Sequence, residues 1–144
     1  MSISDEITVD ASIEELGNVM TFMDNFLESN ACPLKEQTQL DIAMDEMFSN
    51  VAFYAYEEQP EDIPRKVTVI LAASEDNTEF SIKLIDFGIP YNPLEKPDPD
   101  VDLPIEKRDI GGLGIFIVKN TMDKMFYERK NNQNILTMIK NVQE

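Results

Sequence analysis

Three observations predict an α/β (α+β) two-layer sandwich, with one mixed β-sheet and helices packed on one of its faces. Two consecutive runs, Lys66–Ala73 and Thr78–Asp86, are rich in β-branched and aromatic residues and meet at the turn Ser74–Asn77, as a hairpin would. Two amphipathic segments precede them. A third helix opens on glycines at Gly111–Gly114 and leads into a second hairpin. The order strand, two helices, hairpin, loop, helix, hairpin suits one sheet covered by helices on one side.

Each element has its own signal. Glu6–Asp10 reads as a short strand. Ser12-Ile13-Glu14-Glu15 is a capping box, and Ile13, Leu16, Met20, Met23 and Leu27 follow at spacings of three and four, so a helix starts there and lies on the core. Asn30 and Pro33 end it. The second helix spans about Lys35 to Tyr56, with Leu40, Met44, Met47, Phe48, Val51 and Ala55 in an arc of about 100°. Gln59–Pro64 is a polar loop. The stretch from Gly88 to Ile110 has little periodicity and holds five of the eight prolines; a loop of about 20 residues inside a small domain is expected to be a lid or a disordered segment. The last helix runs through Ile115, Phe116, Val118 and Met122. Met125–Lys130 and Ile135–Val142 flank a turn at Asn131–Asn134.

Composition narrows the function. A chain of 144 residues fits one domain with one core. Twenty-eight acidic residues against twelve basic ones give a charge of −16, which phosphate backbones repel, so nucleic acid is a poor partner. The charge either aids solubility or matches a basic protein partner. No histidine is present, which removes Ser–His–Asp and Cys–His chemistry, histidine-ligated zinc and phosphohistidine. The single cysteine, Cys32, excludes an internal disulfide and reads as a partly buried thiol in a helix–helix connection. No apolar run reaches the roughly 18–20 residues of a membrane span, and the acidic N-terminal residues carry no apolar signal core, so a cytoplasmic location is expected.

Three polar groupings carry chemistry. Glu46 and Asn50 are neighbours on one helix face, beside the apolar stripe. A carboxylate there can polarise a hydroxyl or water, and an amide oxygen can bind Mg²⁺; a polar flank of an amphipathic helix is the other reading. Asp86 ends an apolar strand and precedes Phe87-Gly88, where a carboxylate can accept from an exocyclic amine and a glycine admits a ligand close to the backbone; a plain turn gives the same pattern. Gly111-Gly112-Leu113-Gly114 enters a helix, where free N–H groups and the positive helix end suit phosphate; a tight helix–sheet contact would also demand glycine.

Taken in order, these motifs resemble the GHKL, or Bergerat-fold, ATP-binding family, and within it the anti-sigma-factor serine/threonine kinases of bacterial partner-switching systems. Asp45-Glu46-Met47-Phe48-Ser49-Asn50-Val51-Ala52-Phe53-Tyr54-Ala55-Tyr56 resembles the family's N box. Asp86-Phe87-Gly88-Ile89-Pro90-Tyr91-Asn92-Pro93 resembles its first glycine box, and Gly111–Gly114 with Ile115-Phe116-Ile117-Val118 and Met122-Asp123 its second. The resemblance spans nearly the whole chain and implies a single histidine-kinase-like ATPase domain over 1–144 with an ATP lid at about 88–110.

The resemblance also implies roles. Glu46 is the general base for the acceptor hydroxyl, and Asn50 holds Mg²⁺. Asp86 contacts the adenine amine, and Gly88 admits the base. Gly111, Gly112, Leu113 and Gly114 form the phosphate turn, with the amides of Gly112 and Gly114 free for the anion. Arg108 is a γ-phosphate contact or a solvated surface arginine. Tyr54 stands where relatives often carry histidine and can stack or hydrogen-bond. The last hairpin reads Asn132-Gln133-Asn134-Ile135 where the family usually has a Gly-Thr pair. The implied activity is Mg-ATP-dependent phosphorylation of a small antagonist protein, with a sigma factor as a second partner and homodimerisation frequent among relatives. The alternatives are a non-catalytic ATP-binding module that sequesters a regulator, and a plain ATPase or a subunit of a larger kinase assembly.

Overall fold

The computed structural model describes residues 2–57, 63–95 and 113–142. Five strands form one sheet, β1 (Ile3–Asp10), β2 (Lys66–Ala73), β3 (Glu79–Asp86), β4 (Lys124–Lys130) and β5 (Gln133–Asn141), in the order β1-β2-β3-β5-β4. Three helices, α1 (Leu16–Ser29), α2 (Leu34–Asn50) and α3 (Leu113–Thr121), complete the α+β fold.

The two-layer expectation holds, but the mixed sheet is corrected: every strand pairing is antiparallel. The crossover through α3 brings β4 back parallel to β3. The β4–β5 hairpin then inserts β5 between them, so no parallel neighbours arise. That hairpin turns on two residues, Asn131 and Asn132, both with positive φ (54° and 62°), the backbone a two-residue turn between twisted strands requires.

Strand alternation sets the core. Val67, Val69, Leu71 and Ala73 of β2 face the helices with Phe80, Ile82 and Leu84 of β3 and Leu136 and Met138 of β5. Val19, Met23, Phe26 and Leu27 of α1 and Leu40, Ala43, Met44, Met47 and Phe48 of α2 pack onto them. The α1 stripe is thus rotated from the expected one: Ile13 lies 40% exposed in a short 3₁₀ turn ahead of the helix, while Leu16 and Met20 sit at the margin of the core. Burying each large apolar side chain contributes about 1.5–3 kcal/mol, so the large side chains buried below 2% exposure, Phe48, Phe80, Met23 and Leu40 among them, dominate stability. Cys32 is buried between α1 and α2. Burial, then the charges of Glu36 and Asp41, push its thiol up to about 11, which makes it a poor nucleophile.

Two details shape the site. Helix α2 ends at Asn50 and continues as a π-helical turn, Val51–Ala55, where one uninterrupted α-helix is expected. Such turns are frequent at functional positions. Below it Tyr56 is buried, its hydroxyl donating to Lys66 O (2.6 Å) and accepting from Phe87 N (2.8 Å). It ties the end of the helix to the start of β2 and to the residue that follows β3.

Candidate functional site

Along β3 and β5 the inward face is apolar between Lys140 at one end and the last row at the other, where Asp86 of β3 and Asn134 of β5 are paired in register. Both are buried. This polar row lies beneath the end of α2, and a cavity of about 570 Å³ opens there, lined by Glu46, Asn50, Tyr54, Asp86, Tyr91 and Asn134 with Met47, Leu84 and Leu136 as apolar walls. Glu46, Asn50, Tyr54 and Asp86, four of the residues singled out from sequence, therefore share one cavity.

Asp86 is fixed tightly. Its Oδ1 accepts from Gly88 N (2.8 Å) and from Asn134 Nδ2 (2.9 Å), which leaves Oδ2 for the cavity. Burial pushes its carboxyl pKa up, opposed by the hydrogen bonds from Asn134 and Gly88 and by the nearby charge of Arg129. Asn134 is itself saturated. Its amide nitrogen also donates to Ile89 O (2.8 Å), and its oxygen accepts from Tyr127 Oη (2.6 Å), Arg129 Nη1 (3.3 Å) and Tyr91 N (3.3 Å). Arg129 Nη1 further donates to Gly88 O (2.8 Å). Three donors on one oxygen settle which way the amide points.

Across the cavity, Asn50 Nδ2 donates to Glu46 O (2.8 Å) and to Glu46 Oε1 (3.2 Å). Both contacts use the amide nitrogen, so the amide oxygen is turned the other way. That is the atom a hard cation would take. Tyr91 belongs to the same neighbourhood: burial raises its phenol pKa, and the charges of Glu46 and Tyr54 raise it further. Tyr54 and Phe53 remain more than half exposed at the cavity's edge, their rings 6.2 Å apart between centroids.

The glycines are explained in part. A Cβ on Gly88 would overlap the carbonyl oxygen of Ala55, because the π-helical turn presses on the loop and Ile89 N donates to Ala55 O (2.9 Å). A Cβ on Gly114 would overlap the carboxyl group of Glu46. Leu113, 38% exposed, opens α3. Arg108, Gly111 and Gly112, and the expected lid from residue 96 on, lie outside the described residues.

Sequence reading missed Asn134, Tyr127 and Arg129. Asn134 falls within the expected turn Asn131–Asn134 but belongs to β5, and Leu136 and Met138 extended backwards at a period of two put it on the inward face. A polar residue in an apolar inward register was the available signal.

Comparison with known protein families matches residues 9–140 to the histidine kinase-like ATPase domain. The chain belongs to that family. Among solved structures, this histidine kinase-like ATPase domain is similar to the crystal structure of the RsbU and RsbW domains of Rv1364c from Mycobacterium tuberculosis, with a TM-score of 0.68 at 14% identity. The likeness covers 99% of this chain and 33% of that one, so the domain spans about a third of the length of the protein it resembles. At that identity the likeness shows the fold. No curated protein matches. Among the described residues of the ATPase domain no helix is long and apolar enough to cross a membrane.

Proposed function

We propose that the cavity binds Mg-ATP and that the domain transfers the γ-phosphoryl group to a serine or threonine hydroxyl of a small antagonist protein, as an anti-sigma-factor type of kinase. The observation that carries this reading is the facing pair of sites: Asp86 Oδ2, held open by Asn134 and Gly88, on one wall, and the Glu46–Asn50 pair on the other. A fixed carboxylate acceptor suits the exocyclic amine of adenine and disfavours a carbonyl at that position. Met47, Leu84 and Leu136 supply apolar surface for a purine.

The residues fit the implied cation. Among the described residues no cluster of three or more acidic or thiol ligands could hold a metal, and Mg²⁺ in phosphoryl-transfer sites commonly uses one or two protein ligands besides phosphate and water. Asn50 Oδ1 would be that ligand. When bound, Mg²⁺ would neutralise charge on the phosphates. Glu46 would accept the proton of the acceptor hydroxyl, and Asn50 Nδ2 would orient the Glu46 carboxylate. Tyr54 would flank the nucleotide. Leu113 and Gly114, at the first turn of α3, would turn backbone N–H groups toward the anion. Gly111, Gly112 and Arg108 would extend that contact, and the segment to residue 110 would act as the lid.

The antagonist, a sigma factor and a second copy of the chain are the proposed partners, and the cytoplasm the proposed location. A surface of −16 charge favours partners with basic contact faces. The deciding experiment is phosphoryl transfer by Glu46→Gln, which keeps shape and removes the base. Transfer slowed by about 10²–10⁴-fold with ATP affinity retained supports a kinase. Transfer at the wild-type rate removes Glu46 as the base, and binding of ATP with no transfer by the wild type leaves a module that only binds ATP.

A further inference from the structure

Two of the glycines in the structure are filled by neighbours, but in different ways. At Gly88 the intruding atoms are the backbone and Cβ of Ala55; at Gly114 they are the carboxyl carbon and both oxygens of Glu46. The first contact joins two rigid segments. The second seats the end of a long, flexible side chain against a bare α-carbon in the first turn of α3. The same carboxylate receives Asn50 Nδ2 at Oε1 (3.2 Å). Glu46 thus meets both a donor on its own helix and a recess on the next one, and α2 and α3 pack against each other.

We infer that Gly114 is a positioning residue for Glu46: its missing side chain creates the recess that seats the Glu46 carboxylate beside Asn50. This rests on the proposed role of Glu46 and is separate from the anion contact proposed for the Gly114 amide. The two roles predict different defects. An alanine leaves the N–H of residue 114 in place, and its methyl group would drive the carboxylate out of its seat. Glu46 has three rotatable bonds with which to yield, so the fold survives. Alanine also raises helix propensity over glycine by about 1 kcal/mol. Misplacing a reacting group by about 1 Å can cost about 10²-fold in rate.

The test compares wild type, Gly114→Ala, Glu46→Asp and the double variant in the full chain, with Mg-ATP as ligand and water as the acceptor. Affinity is read by titration calorimetry and chemistry by single-turnover phosphate release. Gly114→Ala is expected to keep ATP affinity within about twofold and to lose about 10–100-fold in rate. The shorter Glu46→Asp side chain, harmful alone, is expected to make the double variant faster than Gly114→Ala, because it clears the methyl group. A second readout needs no nucleotide: Gly114→Ala should stabilise the protein in a Glu46→Ala background more than in wild type, since only the latter contains the carboxylate to displace. Affinity lost in step with rate, additive losses in the double variant, or equal stability changes in both backgrounds would overturn the inference and leave the proposed function standing. Wild type that does not bind Mg-ATP would overturn the proposed function instead, and binding without phosphate release that depends on Glu46 would overturn the inference together with the base assignment.

Discussion

Asn134 Nδ2 donates to Asp86 Oδ1 at 2.9 Å, joining the inward ends of β3 and β5 under the cavity. Each buried partner satisfies the other, and the carboxylate is left with one free oxygen in a fixed direction. Asn134→Ala strands the Tyr127 hydroxyl and removes a donor from Asp86. It should cost about 1–3 kcal/mol in denaturant unfolding and weaken ATP binding by about tenfold or more, measured by calorimetry.

Gly88 is constrained by Ala55. Gly88→Ala pushes a methyl group into the Ala55 carbonyl, which belongs to a packed π-helical turn. Overpacking against backbone costs about 1–3 kcal/mol. The denaturation midpoint should fall, in contrast to Gly114→Ala, where the obstructing group is a side-chain end.

Ala31 closes α1 with φ of 57°. Cys32 N bonds to Leu27 O (2.9 Å) and Ala31 N to Glu28 O (3.2 Å), the hydrogen-bond pair of a Schellman cap. A left-handed alanine costs about 1–2 kcal/mol that glycine does not. Ala31→Gly should therefore raise stability, by less than that because glycine loses more entropy on folding. Urea unfolding of the two proteins checks it.

Asp41 of α2 has its carboxyl pushed up to about 7, by burial, then by the hydrogen bond with Asp24 and the charges of Asp24 and Glu28. A folded-state pKa above the ordinary value of 3.8 means the native protein holds its proton more tightly than the unfolded chain. The stabilisation is complete below about pH 4 and is lost as pH rises toward 7. Asp41→Asn, which mimics the protonated acid, should stabilise the protein at pH 8 and have a smaller effect at pH 5. Thermal unfolding at the two pH values measures the difference.

Much of this architecture was legible in sequence because its signals are local. Lys66–Ala73 is a strand with the bounds its alternation implies, and Ser12 accepts from Glu14 N (3.3 Å) as a helix-initiating cap should. Glu46, Asn50 and Asp86 stand out in sequence because their spacing and their neighbours are informative together, and they line one cavity. What escaped depends on tertiary placement. The π-helical turn leaves the apolar stripe of α2 nearly unchanged, so nothing in Val51–Ala55 announced it. The sheet is antiparallel because β5 inserts beside β3, a choice of neighbours that strand patterns do not encode. Lys140 points inward in the row of Leu136 and Met138, yet it is accommodated by Thr121 O (2.7 Å) and Asp123 (3.5 Å) at the end of α3, a use of a buried cation visible only after folding.

The most direct test is titration of the wild-type domain with ATP by calorimetry, with and without Mg²⁺, beside Asp86→Asn and Asn50→Ala. Wild type should bind ATP in a Mg²⁺-dependent manner. Asp86→Asn should lose this binding because an amide cannot reproduce the free carboxylate oxygen, and Asn50→Ala should lose it because the proposed cation ligand is gone. Failure of the wild type to bind, or equal binding by all three proteins, would contradict the proposed site.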